Sequence, residues 1–422
     1  MPCRSIRFRA IAVLIPLILA VMTSGASLAG QERIVEDVLH IENPARPPEG
    51  VERLELEELW RAGGNDDDES VFGHIVRVRA DEAGNIHVLD AQLQQVSVFS
   101  PDGDLLHVMF GEGDGPGEIR WGCDAILLPD GAVAAVRRYP AGLVVVDGEG
   151  DPTGGGFSNT TPGNSFASGD MGGGNLVLGG GCQVEGESAG THTDHTLLAS
   201  YTPEGERGAV YVETSRGVDY QNDYVFDEKA AICDFLYSFA VGPDGRVYVL
   251  GDRDRYAISV FGPDGTPDRV IDRAFEPRRR TDQEMARIEA ITERRFRTFP
   301  FDISYVYCRD ESVVAWYHRG VQVADDGSLW IRHARSGENL PDGVLVRLDV
   351  FDADGHFRRQ VDVAAPGDPL YDGVFLAGPD RIVVVHGFVD SMRSMVGGGR
   401  GPLEDEGEAP GPLEVVCYRI VR

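Results

Sequence analysis

One short unit recurs along the chain: an apolar run, a tight turn containing Asp or Asn with Gly, and a second apolar run. Asp, Asn and Gly supply the positive φ angles and local hydrogen bonds that tight hairpins need. A second turn of the same kind follows most copies, as in VFSPDGDLL (98–106) and VFGPDGTPD (260–268). Each unit therefore predicts four antiparallel strands joined by two tight turns. The six copies are ADEAGNIHVLD (80–90), LPDGAVAAV (128–136), GDMGGGNLVLG (169–179), GPDGRVYVLGD (242–252), ADDGSLWIRH (324–333) and GPDRIVVVHG (378–387).

The two ends of the chain complement each other. The sixth copy lacks its second turn, because the chain ends at LEVVCYRIVR (413–422). Residues 54–60, followed by RAGGNDDDES, match residues 105–110, followed by GEGDGPGEIR, and so predict the missing outer strand. One such sheet cannot bury both of its faces, whereas radial stacking of six does so, and the N-terminal strand would remove an exposed edge. The predicted fold is all-β: a six-bladed β-propeller over residues 51–422, closed by an N-terminal strand that completes the last blade.

The segment VRADEAGNIHVLDAQLQQVSVFSPDGDLLHVMFGEGDGPGEI (78–119) resembles the NHL-type repeat of six-bladed β-propellers. The chain is similar to exported bacterial propeller proteins of undefined activity, over about residues 51–422. The resemblance also raises two enzyme classes on this kind of fold. One is the zinc-dependent peptide-amidating lyase, which uses histidines from propeller loops, and the other is the gluconolactonase-like group, which holds calcium over the central channel. Beyond the repeat, no residue pattern of either class matches.

The first 29 residues are typical of an export signal. Arg4, Arg7 and Arg9 precede an apolar run over residues 11–22, and small residues follow at 27–29. The run is shorter than the ~20 residues that a spanning helix needs, although a retained membrane anchor is the alternative. We therefore expect a signal peptide over 1–29, a linker over 30–50, and a periplasmic or secreted mature protein.

The charge of the chain excludes one class of partner. With 39 basic and 69 acidic side chains the formal net charge is -30, which repels nucleic acid and anionic lipid. We expect a monomer without membrane insertion after signal cleavage, and a protein, peptide or glycan as its ligand.

The connections predict which face of the propeller carries function. The turns of the repeat are uniformly tight, whereas the connections on the opposite face are long: 179–196, 211–234, 272–318, 333–343 and 386–412. Function tends to lie on variable loops held by a rigid frame. A capping box, Thr281 with Glu284, predicts a helix near 281–297 on this loop face. The candidate residues at the channel mouth are Asp124, Asp234, Arg309, Trp316 and His318, with structural ion pairs as their alternative role.

Two functions remain open from the sequence. The first is a binding scaffold without catalysis that uses the loop face. The second is a metal-dependent hydrolase or lyase with its site over the central channel. For a metal the candidates are His192, Asp194 and His195, with His74 as a further ligand, for zinc or calcium; two solvated histidines are the alternative. Asp66 to Glu69 are consecutive and are better explained as an acidic surface loop. The chain has no GxSxG, SxxK or HExxH motif, so enzymatic activity is not favoured.

The cysteines predict disulfides on the loop face. Export permits them, and Cys123, Cys182, Cys233 and Cys308 all fall in predicted loop-face positions. Cys123–Cys182 with Cys233–Cys308 is the favoured pairing, and Cys182–Cys233 is its competitor. Cys417 lies within a predicted strand and is expected to be a buried free thiol.

The glycine-rich run FGEGDGPGEI (110–119) is not predicted to hold phosphate. It fits neither GxGxxG nor a P-loop, because no GK[ST] follows and a strand rather than a helix comes next. Its equivalence to residues 60–70 predicts a crossover from an outer strand to the next inner strand.

Overall fold

The computed structural model describes residues 30–64, 70–186, 188–220, 224–231, 234–296, 302–315, 318–391 and 412–421. The predicted signal peptide (1–29) therefore lies outside the described residues. The described chain is mostly β-strand, in a propeller-type arrangement of antiparallel sheets. None of the helices described has the length and apolar character needed to cross a membrane.

The strands group into sheets in the order of the sequence. Three strands come first: β1 (Gln31–Val35), β2 (Val38–Asn43) and β3 (Val51–Gly63). Sheet I contains β4 (Ile75–Ala80), β5 (Ile86–Asp90), β6 (Gln95–Phe99) and β7 (Leu105–Phe110). Sheet II contains β8 (Gly122–Leu127), β9 (Val133–Arg137), β10 (Ala141–Val146) and β11 (Pro152–Asn159). Sheet III contains β12 (Ser165–Gly172), β13 (Asn175–Glu185), β14 (Thr191–Tyr201) and β15 (Arg207–Asp219).

The second half repeats this order. After β16 (Tyr224–Asp227), sheet IV contains β17 (Phe239–Val241), β18 (Val247–Val249), β19 (Ala257–Phe261) and β20 (Pro267–Arg273). After β21 (Ile303–Val306), sheet V contains β22 (Val321–Val323), β23 (Leu329–Ile331), β24 (Val346–Phe351) and β25 (Phe357–Ala364). Sheet VI contains β26 (Gly373–Leu376), β27 (Arg381–His386), β28 (Glu414–Val421) and the N-terminal β3.

The repeated turns are hairpins, as the sequence predicts. Residues 81–85 join β4 to β5, residues 100–104 join β6 to β7, and both turns carry a glycine with positive φ: 83° at Gly84 and 94° at Gly103. These φ values lie in the left-handed region that glycine enters without steric cost. The tight turns therefore lie at one end of the sheets, and the longer connections lie at the other.

Strand β3 joins the N-terminus to the last sheet. Its residues 55–63 pair antiparallel with β28, and its residues 51–55 pair parallel with β25 of sheet V. Sheets V and VI are consequently continuous through β3 as one eight-stranded sheet. The outer strand predicted at residues 54–60 lies within β3.

Residues 30–50 are not the predicted linker. Strands β1 and β2 form a hairpin, and β2 pairs parallel with β20 at the outer edge of sheet IV. The Asn43 side chain then bridges to sheet V, donating to the carbonyl of Gly355 and accepting from the backbone N–H of Phe357. The linker prediction is wrong. Residues 30–50 have few turn signals, and nothing in this segment indicates that it pairs with β20, a strand more than two hundred residues away.

The hydrophobic core lies between neighbouring sheets rather than at one centre. Inner strands contact their neighbours in the series β26, β4, β8, β12, β17 and β22. Gln322 on β22 donates to the carbonyl of Val374 and accepts from the backbone N–H of Leu376 at β26, linking the first and last members of that series. Between sheets VI and I, for example, Trp60 stacks on Phe99 with ring centroids 5.3 Å apart.

An insertion lies on the loop face beside sheets IV to VI. It contains α1 (Glu228–Ala231), α2 (Asp282–Phe296) and the parallel pair of β16 with β21. Thr281 Oγ1 accepts from the backbone N–H of Glu284, and the Glu284 carboxylate accepts from the backbone N–H of Thr281, so the predicted capping box is present. The predicted helix at 281–297 is thus α2.

The long loop predicted over 179–196 is largely strand. Strand β13 continues to Glu185, β14 begins at Thr191, and β15 continues to Asp219. The error comes from composition: GGG at 179–181 and THTDHT at 191–196 lack the apolar alternation of a half-buried strand. Residues 181–185 and 191–196 are half-buried or exposed beyond the sheet's core, so polar residues occur there, whereas Gly179 and Gly180 are buried and have no side chain to form an apolar pattern.

Candidate functional site

A buried ion cluster lies on the inner strands near their loop-face ends. Asp124 on β8 is fully buried and accepts two hydrogen bonds of 2.6 Å from Arg77 on β4. Arg319, just before β22, donates to the same carboxylate at 2.9 Å, and the backbone N–H of Gly169 on β12 does so as well. One carboxylate therefore connects the inner strands of sheets I, II and III with the entry to sheet V.

A second carboxylate continues the cluster. Asp170 accepts from Arg79 at 2.6 Å and from the backbone N–H of Val241 on β17 at 3.0 Å. Through these two aspartates, four of the inner strands are cross-linked by charge-assisted hydrogen bonds, which are stronger than neutral ones.

The electrostatics make Asp124 a structural anion. Burial by itself raises the pKa of this carboxyl, but the charges of Arg319 and Arg77 and their hydrogen bonds hold the pKa far below its usual range. Its oxygens are already occupied by two guanidinium groups and two backbone N–H groups. This is the ion-pair role that the sequence left open for Asp124, and it leaves the carboxylate no free oxygen for a metal or a proton transfer.

His74 and Cys123 lie beside this cluster and are held by other contacts. His74 is buried, with Nδ1 3.0 Å from Ser391 Oγ, and burial lowers its pKa to about 4 despite the nearby Asp90 carboxylate. The Cys123 thiol donates to the carbonyl of Val136, and burial raises its pKa to about 12. A neutral imidazole and a protonated thiol result at neutral pH.

Arg309 and His318, the other channel-mouth candidates whose side chains the structure describes, have separate partners. Arg309 is half exposed and pairs with Asp282 of α2 at 2.7 Å. His318 lies 3.4 Å from a guanidinium nitrogen of Arg332. Asp234 begins the short 3₁₀ turn Asp234–Leu236, and Trp316 lies outside the described residues.

The structure separates the candidate metal ligands. His192 and Asp194 lie on one face of β14, with Nε2 to Oδ1 3.0 Å, and Asp194 is also contacted by Arg216. His195 lies on the opposite face of the strand, where its Nδ1 is 2.9 Å from Ser215 Oγ, and His74 is on sheet I. Strand alternation thus prevents the two neighbouring histidines from sharing an ion. Among the described residues, no group of three His, Cys, Asp or Glu has a geometry that fits a metal; residues 66–69 are not among them.

The predicted disulfides among the described cysteines are wrong. Cys123, Cys182, Cys308 and Cys417 are free thiols, and Cys233 lies outside the described residues. Cys123 on inner strand β8 points to backbone carbonyls, whereas Cys182 lies on β13 opposite His195. The direction of each cysteine side chain depends on strand register. A common position on the loop face therefore does not bring two thiols together. Cys417 is buried and free, as predicted.

A group of exposed side chains on the loop face was not singled out from the sequence. Trp121 is 66% exposed and Tyr139 is 50% exposed, beside the exposed Arg138. The backbone N–H of Arg138 donates to the carbonyl of Trp121, and Gly122 N–H donates to Gln94, next to the partly exposed Leu93. We name Leu93, Trp121, Arg138 and Tyr139 the aromatic patch. The sequence signal for this patch is an aromatic residue in each of two short connections. Aromatic residues occur in connections at many other positions of the chain, so this signal does not single out the patch.

Comparison with known proteins gives likeness in fold alone. No protein-family model and no curated protein matches the chain. Among solved structures, it is similar to a protein of Bacteroides fragilis whose name describes it, by inference, as exported. The TM-score is 0.46 and the identity is 12%, and the match covers 91% of this chain and 100% of that one. It is also similar to regucalcin, a calcium-binding protein of Agrobacterium tumefaciens (TM-score 0.42, 14% identity, 88% and 97% covered). A third is virginiamycin B lyase of Staphylococcus aureus (TM-score 0.38, 10% identity, 87% and 100% covered). These values assign no activity to this chain.

Proposed function

We propose that this chain is an exported binding protein, built on a six-bladed β-propeller of NHL-type repeats, that recognises a protein, peptide or glycan through its loop face. Six blades are supported by the series of inner strands, in which each strand contacts the next and Gln322 links β22 to β26. Strand β3 supplies the outer strand of sheet VI, so this sheet also has four strands. The export signal at residues 1–29 supports a periplasmic or secreted location.

The aromatic patch is the observation that carries the binding function. Trp and Tyr are enriched in the residues that dominate binding energy at interfaces, because their large rigid surfaces are desolvated at low entropic cost. Here both are exposed on the same face of the molecule, and the backbone N–H of Arg138, the residue before Tyr139, donates to the Trp121 carbonyl. A monomer gains nothing in stability from holding two such rings in water.

The backbone of Trp121 adds a second reason. Its φ is 60°, a left-handed conformation that bulky residues rarely adopt. Such conformations cost about 1–3 kcal/mol and persist where the surroundings enforce them, often at binding sites. Here the carbonyl of Trp121 is held by Arg138 N–H, and the next residue is held by Gln94. The connection thus turns the indole outward at a cost to stability.

The test is a binding screen with matched variants. The purified mature protein is applied to arrays of peptides and of glycans, and the ligands retained define the class of partner. The double variant Trp121→Ala/Tyr139→Ala is expected to lose at least about 30-fold in affinity for such a ligand, since anchors of this kind contribute about 2 kcal/mol or more each. The control is Leu106→Ala/Val108→Ala on outer strand β7, where both side chains are also exposed. Equal binding by both double variants would disprove the role of the patch.

The alternative is a metal-dependent hydrolase or lyase over the channel. No specific contact among the described residues favours it, because the carboxylate at the channel, Asp124, is neutralised by two arginines. Metal analysis of the mature protein distinguishes the two functions. Stoichiometric zinc or calcium, together with loss of that metal on replacing the channel-mouth Asp and His residues, would support the enzyme and contradict the scaffold.

A further inference from the structure

A cavity of about 320 Å³ lies between sheets II and III, next to the aromatic patch. Ligand pockets in proteins begin at about 300 Å³, and a cavity of about 150 Å³ already holds benzene. This one is therefore large enough for a molecule of two fused rings. Its wall on sheet III includes Phe166, Gly180, Cys182, Leu197 and Tyr201.

The cavity follows from the pattern of residues on sheet III. Gly180 pairs with Phe166 on one side and with Leu197 on the other, at the centre of the face directed to sheet II. A Cβ at Gly180 would collide with the Ser165 carbonyl and approach Phe166 Cδ1 to 2.9 Å, so no larger residue can fill this place. Across the gap, sheet II contributes Ala141, whose side chain is also small.

The apolar wall is a fixed set of aromatic rings. Phe166 meets Tyr201 edge-on, with centroids 5.4 Å apart and planes at 81°. Phe157 stacks against Tyr201 at 6.2 Å and 13°, and meets Phe166 at 6.0 Å and 87°. Offset-stacked and edge-to-face contacts are the favourable arrangements for rings. The wall therefore holds its shape and offers a further ring both an edge and a face.

The lining of the cavity also contains a cationic side chain. Arg207 lines it and is the cross-strand neighbour of Tyr201. Its charge acts on the Tyr201 phenol, whose pKa is nevertheless raised because burial outweighs that charge. In the part of the chain that the structure describes, Arg207 has no ion pair, unlike Arg358 near the start of β25 in sheet V, which pairs with Glu49 at 2.5 Å. The guanidinium is thus available to a carboxylate from outside.

We propose that this cavity binds a small planar aromatic carboxylic acid. The rings lie between Leu197 and the aromatic wall, and the carboxylate pairs with Arg207, whose planar fork matches it in geometry. Asn164 also lines the cavity and is placed to bond a polar substituent of the ring. The site adjoins the aromatic patch, because the backbone N–H of Phe166 donates to the carbonyl of Arg138 and Ala141 lies two residues after Tyr139.

The first test uses 2-naphthoate and its neutral analogue 2-naphthamide, with affinities measured by titration calorimetry. Arg207→Gln is expected to weaken naphthoate binding about tenfold and to leave naphthamide unchanged, since only the charged pair is lost. Arg358→Gln is the matched control and keeps wild-type affinity for both. Cys182→Phe adds a ring inside the cavity and is expected to abolish binding of both probes, while its thermal unfolding shows that it is folded.

The second readout is protection of a thiol. Cys182 lines the cavity and is partly exposed, as is Cys308 elsewhere. Bound naphthoate is expected to slow the alkylation of Cys182 by N-ethylmaleimide several-fold, measured by peptide mass spectrometry, and to leave Cys308 unaffected. Absence of saturable naphthoate binding, binding unchanged in Cys182→Phe or Arg207→Gln, or alkylation of Cys182 unchanged by naphthoate would each overturn the proposal.

Discussion

Asp124 shows how much a single residue contributes at the centre of this molecule. Replacing it by Asn in Asp124→Asn leaves the guanidinium groups of Arg77 and Arg319 buried without a counter-charge. Breaking a buried pair in this way costs about 3–5 kcal/mol. We expect a loss of that size in the free energy of unfolding, measured by urea denaturation. The control is Asp114→Asn, whose side chain is 79% exposed and pairs with Arg120; it is expected to change stability by less than about 1 kcal/mol.

The acid sensitivity of the same residue has a defined sign. Because the folded-state pKa of Asp124 lies far below its unfolded value, its stabilising effect is fully present above about pH 4 and is lost as the pH falls through lower values. Asp124→Asn should therefore be less stable than the wild type at pH 7, and the difference should shrink below pH 4. A difference that stays constant with pH would show that the carboxylate charge contributes nothing.

His74 gives a second pH dependence in a different window. Its folded-state pKa is about 4, against 6.5 for the free side chain, so the unfolded chain binds a proton first as the pH falls. Stability is consequently lost between about pH 6.5 and pH 4, by about 2 kcal/mol at pH 5. We expect His74→Gln to remove this slope from a plot of unfolding free energy against pH. His356→Gln, a partly exposed histidine, serves as the control and should keep it.

At the scale of elements, the sequence predicts hairpins better than it predicts edges. Turns that combine Asp or Asn with Gly mark β4 with β5 and β6 with β7, because glycine is needed at positive φ. The same reasoning missed β1 and β2, since a parallel edge partner such as β20 leaves no local turn signal. It also missed the extensions of β13 and β14, whose partly exposed polar residues do not alternate.

The sequence predicts only part of the chemistry of the candidate site. The position of Asp124 at the start of an inner strand could be derived from the repeat, and ion pairing follows from that position. That Arg77 and Arg319 provide the charges could not, because these residues are 47 and 195 positions away from Asp124 in the sequence. The orientations of Cys123 and His195 depended on strand register, which a one-residue shift reverses.

The insertion on the loop face depends on one carboxylate. Glu228 is buried and accepts from Arg253, from Arg280 and from the backbone N–H of Cys308. We expect Glu228→Gln to loosen the insertion, because two arginines lose their counter-charge, and to increase amide hydrogen exchange in α2 with little change in sheets I and II. Glu289→Gln in the helix itself is the control. Equal exchange in α2 for Glu228→Gln and the wild type would contradict this role.

At the scale of the whole molecule, the distribution of the core explains why closure matters. Apolar clusters lie between each pair of neighbouring sheets, so every sheet depends on two others for the burial of its faces. The cluster between sheets VI and I includes Trp60 and Ala62 of β3, and the cluster between sheets V and VI includes Leu54. A single N-terminal strand thereby contributes to two of these interfaces.

This arrangement predicts that β3 can be supplied as a separate peptide. A chain that begins at residue 64 lacks Leu54, Trp60 and Ala62 and exposes the edges of β25, β28 and, through the loss of β2, β20, which are paired in the full chain. We expect it to unfold or aggregate at temperatures where the full chain is folded, since unpaired edges and apolar faces promote association. A synthetic peptide of residues 30–64 should restore a cooperative thermal transition by strand addition. The same peptide with Leu54 and Trp60 changed to Ser should not, because its backbone pairs but its side chains no longer fill the gaps between sheets. A truncated chain that melts like the full chain without peptide would show that the ring does not need this strand.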